Sequence, residues 1–169
     1  SFMFQRCGYK KMTSLNLGEN FNTSNVTNMR GMFRYFGVKS MTGLHLGNKF
    51  YTEKVTDMYK MFNECGTQKM TTIDLGPAFT NIPSGNITDN DGSQKSGYLL
   101  MIANCGQSGA KIYAPESIYF DKTNLKTNSV STTEVEYQSG KTTDSKDSNG
   151  NDVTNFEKQG IRGTIIPKY

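Results

Sequence analysis

Apolar residues recur along this chain at a fixed step rather than in the period of a helix or a long strand. Met12-Thr13-Ser14-Leu15-Asn16-Leu17-Gly18 returns as Met41-Thr42-Gly43-Leu44-His45-Leu46-Gly47 and again as Met70-Thr71-Thr72-Ile73-Asp74-Leu75-Gly76, 29 residues apart each time. Phe21, Phe50 and Phe79 keep the same step, as do Met3-Phe4, Met32-Phe33 and Met61-Phe62. Val26-Thr27-Asn28-Met29 is echoed by Val55-Thr56-Asp57-Met58, and more loosely by Ile87-Thr88-Asp89-Asn90. Met101-Ile102-Ala103-Asn104-Cys105-Gly106 repeats Met61-Phe62-Asn63-Glu64-Cys65-Gly66 at a distance of 40 residues, which leaves an insertion of 11 residues. The pattern places it near 80–97, in two pieces around Ile87, with Asp89 to Gly97 as a protruding polar loop.

Two leucines two residues apart point to one face of a short strand, and the residue between them points to the other. Each unit therefore predicts a strand, a second extended piece at Val-Thr-Asn-Met, and a helical turn or tight bend at Gly31-Met32-Phe33. A unit this small buries its apolar side only against copies of itself. The fold class expected is mainly β with short helical turns, a leucine-rich-repeat-like solenoid of three to four coils over residues 1–116. Outward strand positions then line up as a polar strip of Thr13, Ser14 and Asn16, then Thr42, Gly43 and His45, then Thr71, Thr72 and Asp74.

Residues 117–169 differ in composition. The stretch Thr142 to Asp152 is polar and turn-forming throughout. Ser129 to Tyr137 and Ile161 to Ile166 have strand composition, so a C-terminal β-hairpin cap with a polar loop over 138–152 is expected to close the stack.

Composition agrees with a narrow core. The 169 residues are 34% hydrophobic with no Trp, yet 10 Phe, 9 Tyr and 9 Met supply the bulk that a disordered chain lacks. Apolar runs fall far short of the roughly 20 residues of a membrane span, so no membrane insertion is expected. The start at Ser1, with no signal-like segment, reads as a piece of a longer protein. The net charge of +4 divides unevenly, with 12 Lys/Arg against 7 Asp/Glu in residues 1–115 and 7 against 8 afterwards. Because these cations are dealt out by the repeat among acidic neighbours, they read as a solvated surface, and nucleic-acid binding is not expected.

The run Met-Phe-x-x-Cys, then Met12-Thr13-Ser14-Leu15-x-Leu17-Gly18, a Phe, and Thr23-Ser24-Asn25-Val26-Thr27-Asn28-Met29 resembles the BspA-like leucine-rich repeats of bacterial surface proteins over roughly residues 1–115. Lys111-Ile112-Tyr113-Ala114-Pro115 resembles the segment that often closes such arrays. Phe36 stands where the repeat Cys should be in the second unit. The resemblance implies an extracellular protein, anchored at the cell surface, that displays its repeat for adhesion or host interaction.

Candidate chemistry is sparse. Cys7, Cys65 and Cys105 occupy equivalent positions without metal-ligand spacing, and His45 is the single histidine, so neither a metal site nor a cofactor is expected. Buried free thiols are the plain reading, with a Cys65–Cys105 disulfide as the alternative. No elbow or dyad pattern surrounds His45, and repeat-surface carboxylates such as Asp57, Glu64 and Asp74 are normally solvated, so no catalytic residues are assigned and no enzyme is expected. Asp89-Asn90-Asp91-Gly92 and the acidic residues of 144–152 hint at calcium without completing a calcium loop; Asp-Gly and Asn-Gly are ordinary turn formers. Asn25-Val26-Thr27 and Asn86-Ile87-Thr88 fit an N-glycosylation pattern but read more simply as repeat residues. The expected function is non-enzymatic binding of a host or matrix protein or a glycan through Thr13, Asn16, Thr42, His45, Thr72 and Asp74. Tyr51, Tyr59 and Tyr98 are the aromatics a carbohydrate site would use. A structural spacer, or a carbohydrate-binding accessory domain of a secreted enzyme, are the alternatives.

Overall fold

The computed structural model describes residues 1–83, 85–98, 101–102, 104–107, 109–115, 135–136 and 163–169. Three of its strands come from the repeated Leu-x-Leu segments and their counterpart: β1 (Gly43–His45), β2 (Thr72–Asp74) and β5 (Ala110–Ala114). They pair in parallel, Leu44 beside Ile73 and Ile73 beside Ile112, so equivalent positions of successive units are neighbours. The first unit joins the same stack through the Thr42 N–H, which donates to Thr13 O. β7 (Gly163–Pro167) adds in parallel to β5, and β6 (Val135–Glu136) lies antiparallel on β7. The remaining residues of 116–134 and 137–162, including the expected polar loop over 138–152, lie outside the described residues.

The segment after Val-Thr-Asn-Met is neither helix nor strand. Residues 3–11, 30–40 and 59–69 are continuous turns, and no helix occurs among the described residues. In the second unit the N–H groups of Met32, Arg34 and Phe36 donate to carbonyls three residues back. Those of Gly31, Phe33 and Tyr35 donate to Tyr59 O, Met61 O and Asn63 O of the next unit. Alternate N–H groups thus close turns and stack units, which satisfies the backbone where an i→i−4 helical ladder would spend every bond inside the segment. The geometry needs positive φ at Gly31, Tyr35 and Gly37, and at their counterparts Phe2, Arg6, Gly8, Lys60, Glu64 and Gly66. Several are not glycine, at a cost of about 1 kcal/mol or more each, offset by the stacking bonds.

Two files of rings fill the interior. Phe4, Phe33 and Phe62 stack at 5.2 and 5.5 Å, and Phe21, Phe50 and Phe79 at 6.2 and 6.3 Å. The Leu-x-Leu pairs Leu44/Leu46 and Ile73/Leu75 point inward with Met41 and Met70. Cys65 and Cys105 are buried thiols side by side in the interior with no disulfide between them; burial, and then the neighbouring Cys65, push the Cys105 thiol up. In the first unit, Phe4, Cys7, Met12, Leu15, Leu17 and Phe21 are only partly buried.

The insertion differs from its expected form. It lies in one piece, a hairpin of β3 (Asn86–Thr88) and β4 (Gln94–Ser96) whose base is closed by the Gly97 N–H donating to Gly85 O. Beyond it, Gly97 O accepts the Met58 N–H as Asp57 O accepts that of Met29, so the repeat resumes at Gly97 and Ile87 belongs to the insertion. A Cβ at Gly97 would sit 2.8 Å from Thr56 O, so this junction requires glycine. Nor does the hairpin protrude freely, since Asp89 and Thr88 O are held by Arg30 of the second unit.

Candidate functional site

The strand face carries the expected strip. Thr13, Asn16, Thr42 and His45 are exposed, and Thr72 is half-buried. Asn16 uses its Oδ1 to accept the Gly18 N–H at 2.8 Å, and Asp74 does the same for Gly76 at 3.1 Å. These side chains fix the turn into each glycine, a local bond that Asn and Asp make readily. A groove of about 600 Å³ runs beside the first two units, lined among others by Asn16, Glu19, Phe21, His45, Asn48 and Lys49. It offers amide, imidazole, carboxylate and ammonium groups over an apolar floor of Leu15, Leu17 and Leu46.

Asp74 is not an open member of the strip. Lys168 Nζ lies 2.6 Å from its Oδ2, and the Tyr169 hydroxyl donates to it at 2.7 Å. The segment is anchored by the Lys168 N–H donating to Ala114 O, and the Lys168 ammonium sits over the rings of Tyr113 and Tyr169. Burial works to raise the Asp74 pKa, but the hydrogen bonds from Lys168, Tyr169 and the Gly76 N–H outweigh it and hold the carboxyl below its usual value. The bond to Asp74 raises the pKa of Lys168, while burial and then the Asp74 bond raise that of Tyr169. His45 Nδ1 is 3.9 Å from Asp74 Oδ2, with the imidazole 68% exposed.

The aromatic candidates do not assemble. Tyr51 is 39% exposed, whereas Tyr59 and Tyr98 are 7% and 8% exposed. Tyr59 carries Arg30 and Lys60 over its ring at 5.3 and 4.6 Å, so it serves as a platform for cations rather than an open sugar-stacking surface. Asp89 and Asp91 are likewise committed: Asp89 Oδ1 accepts from Arg30 Nη1 and the Asn90 N–H, and Asp91 Oδ1 accepts from the Ser93 N–H and hydroxyl. This is a hairpin turn, and no cluster able to hold a metal occurs among the described residues.

Sequence reasoning missed the polar cluster at Arg30. Its Nε donates to Asp57 Oδ2 at 2.8 Å and its Nη1 to Asp89 Oδ1 at 3.1 Å, while Asn28 Nδ2 donates to Asp57 Oδ2 at 3.2 Å. The signal was a departure from the repeat: Asp57 replaces Asn28, and Arg30 has Ser1 and Tyr59 as counterparts. The turn segments 3–11, 30–40 and 59–69 hold Arg6, Lys10, Lys11, Arg30, Arg34, Lys39, Lys60 and Lys69, with Glu64 as their own carboxylate, and the hairpin brings Asp89 and Asp91 beside Arg30, Arg34 and Lys60. One pair of these cations, Lys10 and Lys39, occupies equivalent positions of successive units, so the turns are rich in cations that the repeat does not stack in columns.

Residues 1–75 are similar to one known family. They match the family model described as Mycoplasma protein of unknown function, DUF285. The match spans the first two units and the third as far as its strand, ending just beyond β2. No curated protein and no solved structure matched the chain. No helix among the described residues is long and apolar enough to cross a membrane.

Proposed function

We propose that this chain is part of a bacterial cell-surface protein of BspA-like type, a leucine-rich-repeat-like solenoid of three to four coils with a C-terminal β cap. On this reading it is extracellular, anchored in the full-length protein, and binds a host or matrix protein or glycan without catalysis. One observation carries the binding reading: the groove in which Asn16 and His45, one unit apart on the strip, face the same space with Glu19, Asn48 and Lys49. Polar groups of both signs above an apolar floor recognise a polar ligand with an apolar side, which describes a sugar ring or a peptide edge. The parallel register supports the solenoid part, since it repeats one unit geometry through β1, β2 and β5. The family similarity of residues 1–75 supports the bacterial part.

The test is a binding screen of the chain against immobilised matrix proteins and glycans, repeated with Asn16→Ala and His45→Ala. The reading expects a ligand whose affinity falls about tenfold or more when a groove residue that contacts it is removed. Binding indifferent to both substitutions, or turnover of a substrate by the chain, overturns it.

A further inference from the structure

The turn face, opposite in character to the groove, carries the strongest unexplained feature. Among the described residues Arg6, Lys10, Lys11, Arg34, Lys39, Lys60 and Lys69 make no ion pair; Arg30 alone on this face is neutralised, by Asp57 and Asp89. Four of the seven are held on tyrosine rings. Arg6 lies 5.4 Å and Arg34 4.8 Å from the centroid of Tyr35, Lys39 5.9 Å from that of Tyr9, and Lys60 4.6 Å from that of Tyr59. Two of these contacts cross from one unit to the next, so the stack itself sets the cation spacing. Arg34 is fixed further by its Nε donating to Asn63 Oδ1 at 3.2 Å.

We propose that this face binds a sulfated polysaccharide. Unpaired cations held in place by rings lose little conformational freedom when an anion arrives, so each contact keeps more of its gross attraction. Arg6 and Arg34 meet on the one ring of Tyr35, and Lys10 and Lys39 occupy equivalent positions of successive units, roughly 5 Å apart in the stack, which calls for a ligand with closely spaced charges along a chain. Guanidinium forks match the oxygens of a sulfate. A glycan with one carboxylate per disaccharide would leave most of these cations unmatched. Single-stranded nucleic acid is disfavoured because its bases need open aromatic platforms, and the rings of Tyr35 and Tyr59 are already covered by the protein's own cations. An anionic membrane is disfavoured because the exposed apolar side chains Phe2 and Met3 both lie in the first unit and are not repeated along the face. Their counterparts Gly31 and Met32 are buried by the neighbouring units.

The experiment measures binding of the full chain to heparin as the sulfated probe, by calorimetry over a series of NaCl concentrations. Hyaluronan, duplex DNA, single-stranded DNA and phosphatidylserine vesicles are run beside it. A triple variant, Arg6→Ala/Arg34→Ala/Lys39→Ala, removes three charges from the face; Lys54→Ala/Lys95→Ala/Lys111→Ala removes three from elsewhere. Both are checked for parental far-ultraviolet circular dichroism and cooperative melting, and Arg34→Gln alone, which retains a donor toward Asn63, provides a milder face variant. The inference expects heparin to bind at about 0.15 M salt, where the Debye length is near 8 Å. The face triple should lose about tenfold or more in affinity, with a salt slope shallower by about 2 to 3. Arg34→Gln should lose severalfold, and the control triple should stay within about twofold. Absence of heparin binding, equal loss in both triples, or binding to DNA, vesicles or hyaluronan as tight as to heparin overturns it.

Discussion

Replacing Arg30 with Met tests how the insertion is tied to the stack. Its Nε stands 2.8 Å from Asp57 Oδ2, with the two side chains only 10% and 6% exposed. At an effective dielectric near 20 the gross attraction over that distance is about 6 kcal/mol, and removing one member of a buried pair costs about 3–5 kcal/mol because the other charge stays behind. Asp57 keeps the Asn28 amide at 3.2 Å and the Tyr59 N–H at 2.9 Å, which places Arg30→Met near the lower end, about 3 kcal/mol. The repeat supplies the rescue. Asn28 caps the Arg30 N–H with its Oδ1 at 3.0 Å just as Asp57 caps Tyr59, so Asp57→Asn preserves the turn without a charge. Urea unfolding of the parent, Arg30→Met, Asp57→Asn and the double variant measures the coupling, expected at about 2 kcal/mol or more in favour of the double. Hydrogen exchange should also show the hairpin from Asn86 to Ser96 opening in Arg30→Met, since the side chain holding Asp89 and Thr88 O is gone. Additive destabilisation in the double variant would refute the charge-burial reasoning, and unchanged exchange in the hairpin would refute the tie.

Phe33, stacked on both Phe4 and Phe62, should lose about 3–5 kcal/mol on substitution by Ala, while the partly buried Phe4 of the first unit loses less; equal losses in chemical denaturation would contradict the stacked order. The contact of Lys168 and Tyr169 with Asp74 has a pH window. Because the folded Asp74 pKa lies below 3.8, its contribution is present above that value and disappears as pH falls through the folded pKa. Because the folded Lys168 pKa lies above 10.5, its contribution is complete below that value and disappears as pH rises through the folded pKa. Tyr169 ring resonances should therefore move to free-chain positions at both extremes, and Asp74→Asn should flatten the acid limb; resonances constant throughout would remove the contact. Cys7, partly buried, should be alkylated in the native protein well before Cys65 and Cys105, which react only on unfolding; simultaneous modification of all three would contradict their burial.

The 29-residue step made β1, β2, their inward leucines and the two phenylalanine files legible, because a repeat that buries itself against its copies must keep the same positions apolar, whereas the strand expected at Leu15-Asn16-Leu17 of the first unit does not form. The turn segments were not legible as such. Their left-handed residues include Phe2, Tyr35, Lys60 and Glu64, none of which marks positive φ, so a run of stacked turns resembled a helical turn. Asp74 looked like an open strip residue from its alternation with Ile73 and Leu75, and only the arrival of Lys168 and Tyr169, 94 and 95 positions later, covers it. Tyr59 and Tyr98, expected as aromatics open to a sugar, are buried. The basic face was missed through arithmetic on the linear chain, where Arg6 and Arg34 look remote although stacking brings both onto the ring of Tyr35.

Everything assigned to the two faces rests on that stacking, and nuclear Overhauser contacts between backbone protons of successive units read it directly. The account predicts cross-peaks linking Gly43 with Thr72, Leu44 with Ile73 and His45 with Asp74, then Thr72 with Lys111 and Ile73 with Ile112, in parallel register. Cross-peaks in antiparallel order, or at any other offset between these segments, would contradict it and dissolve both the groove beside His45 and the array of cations on the turns.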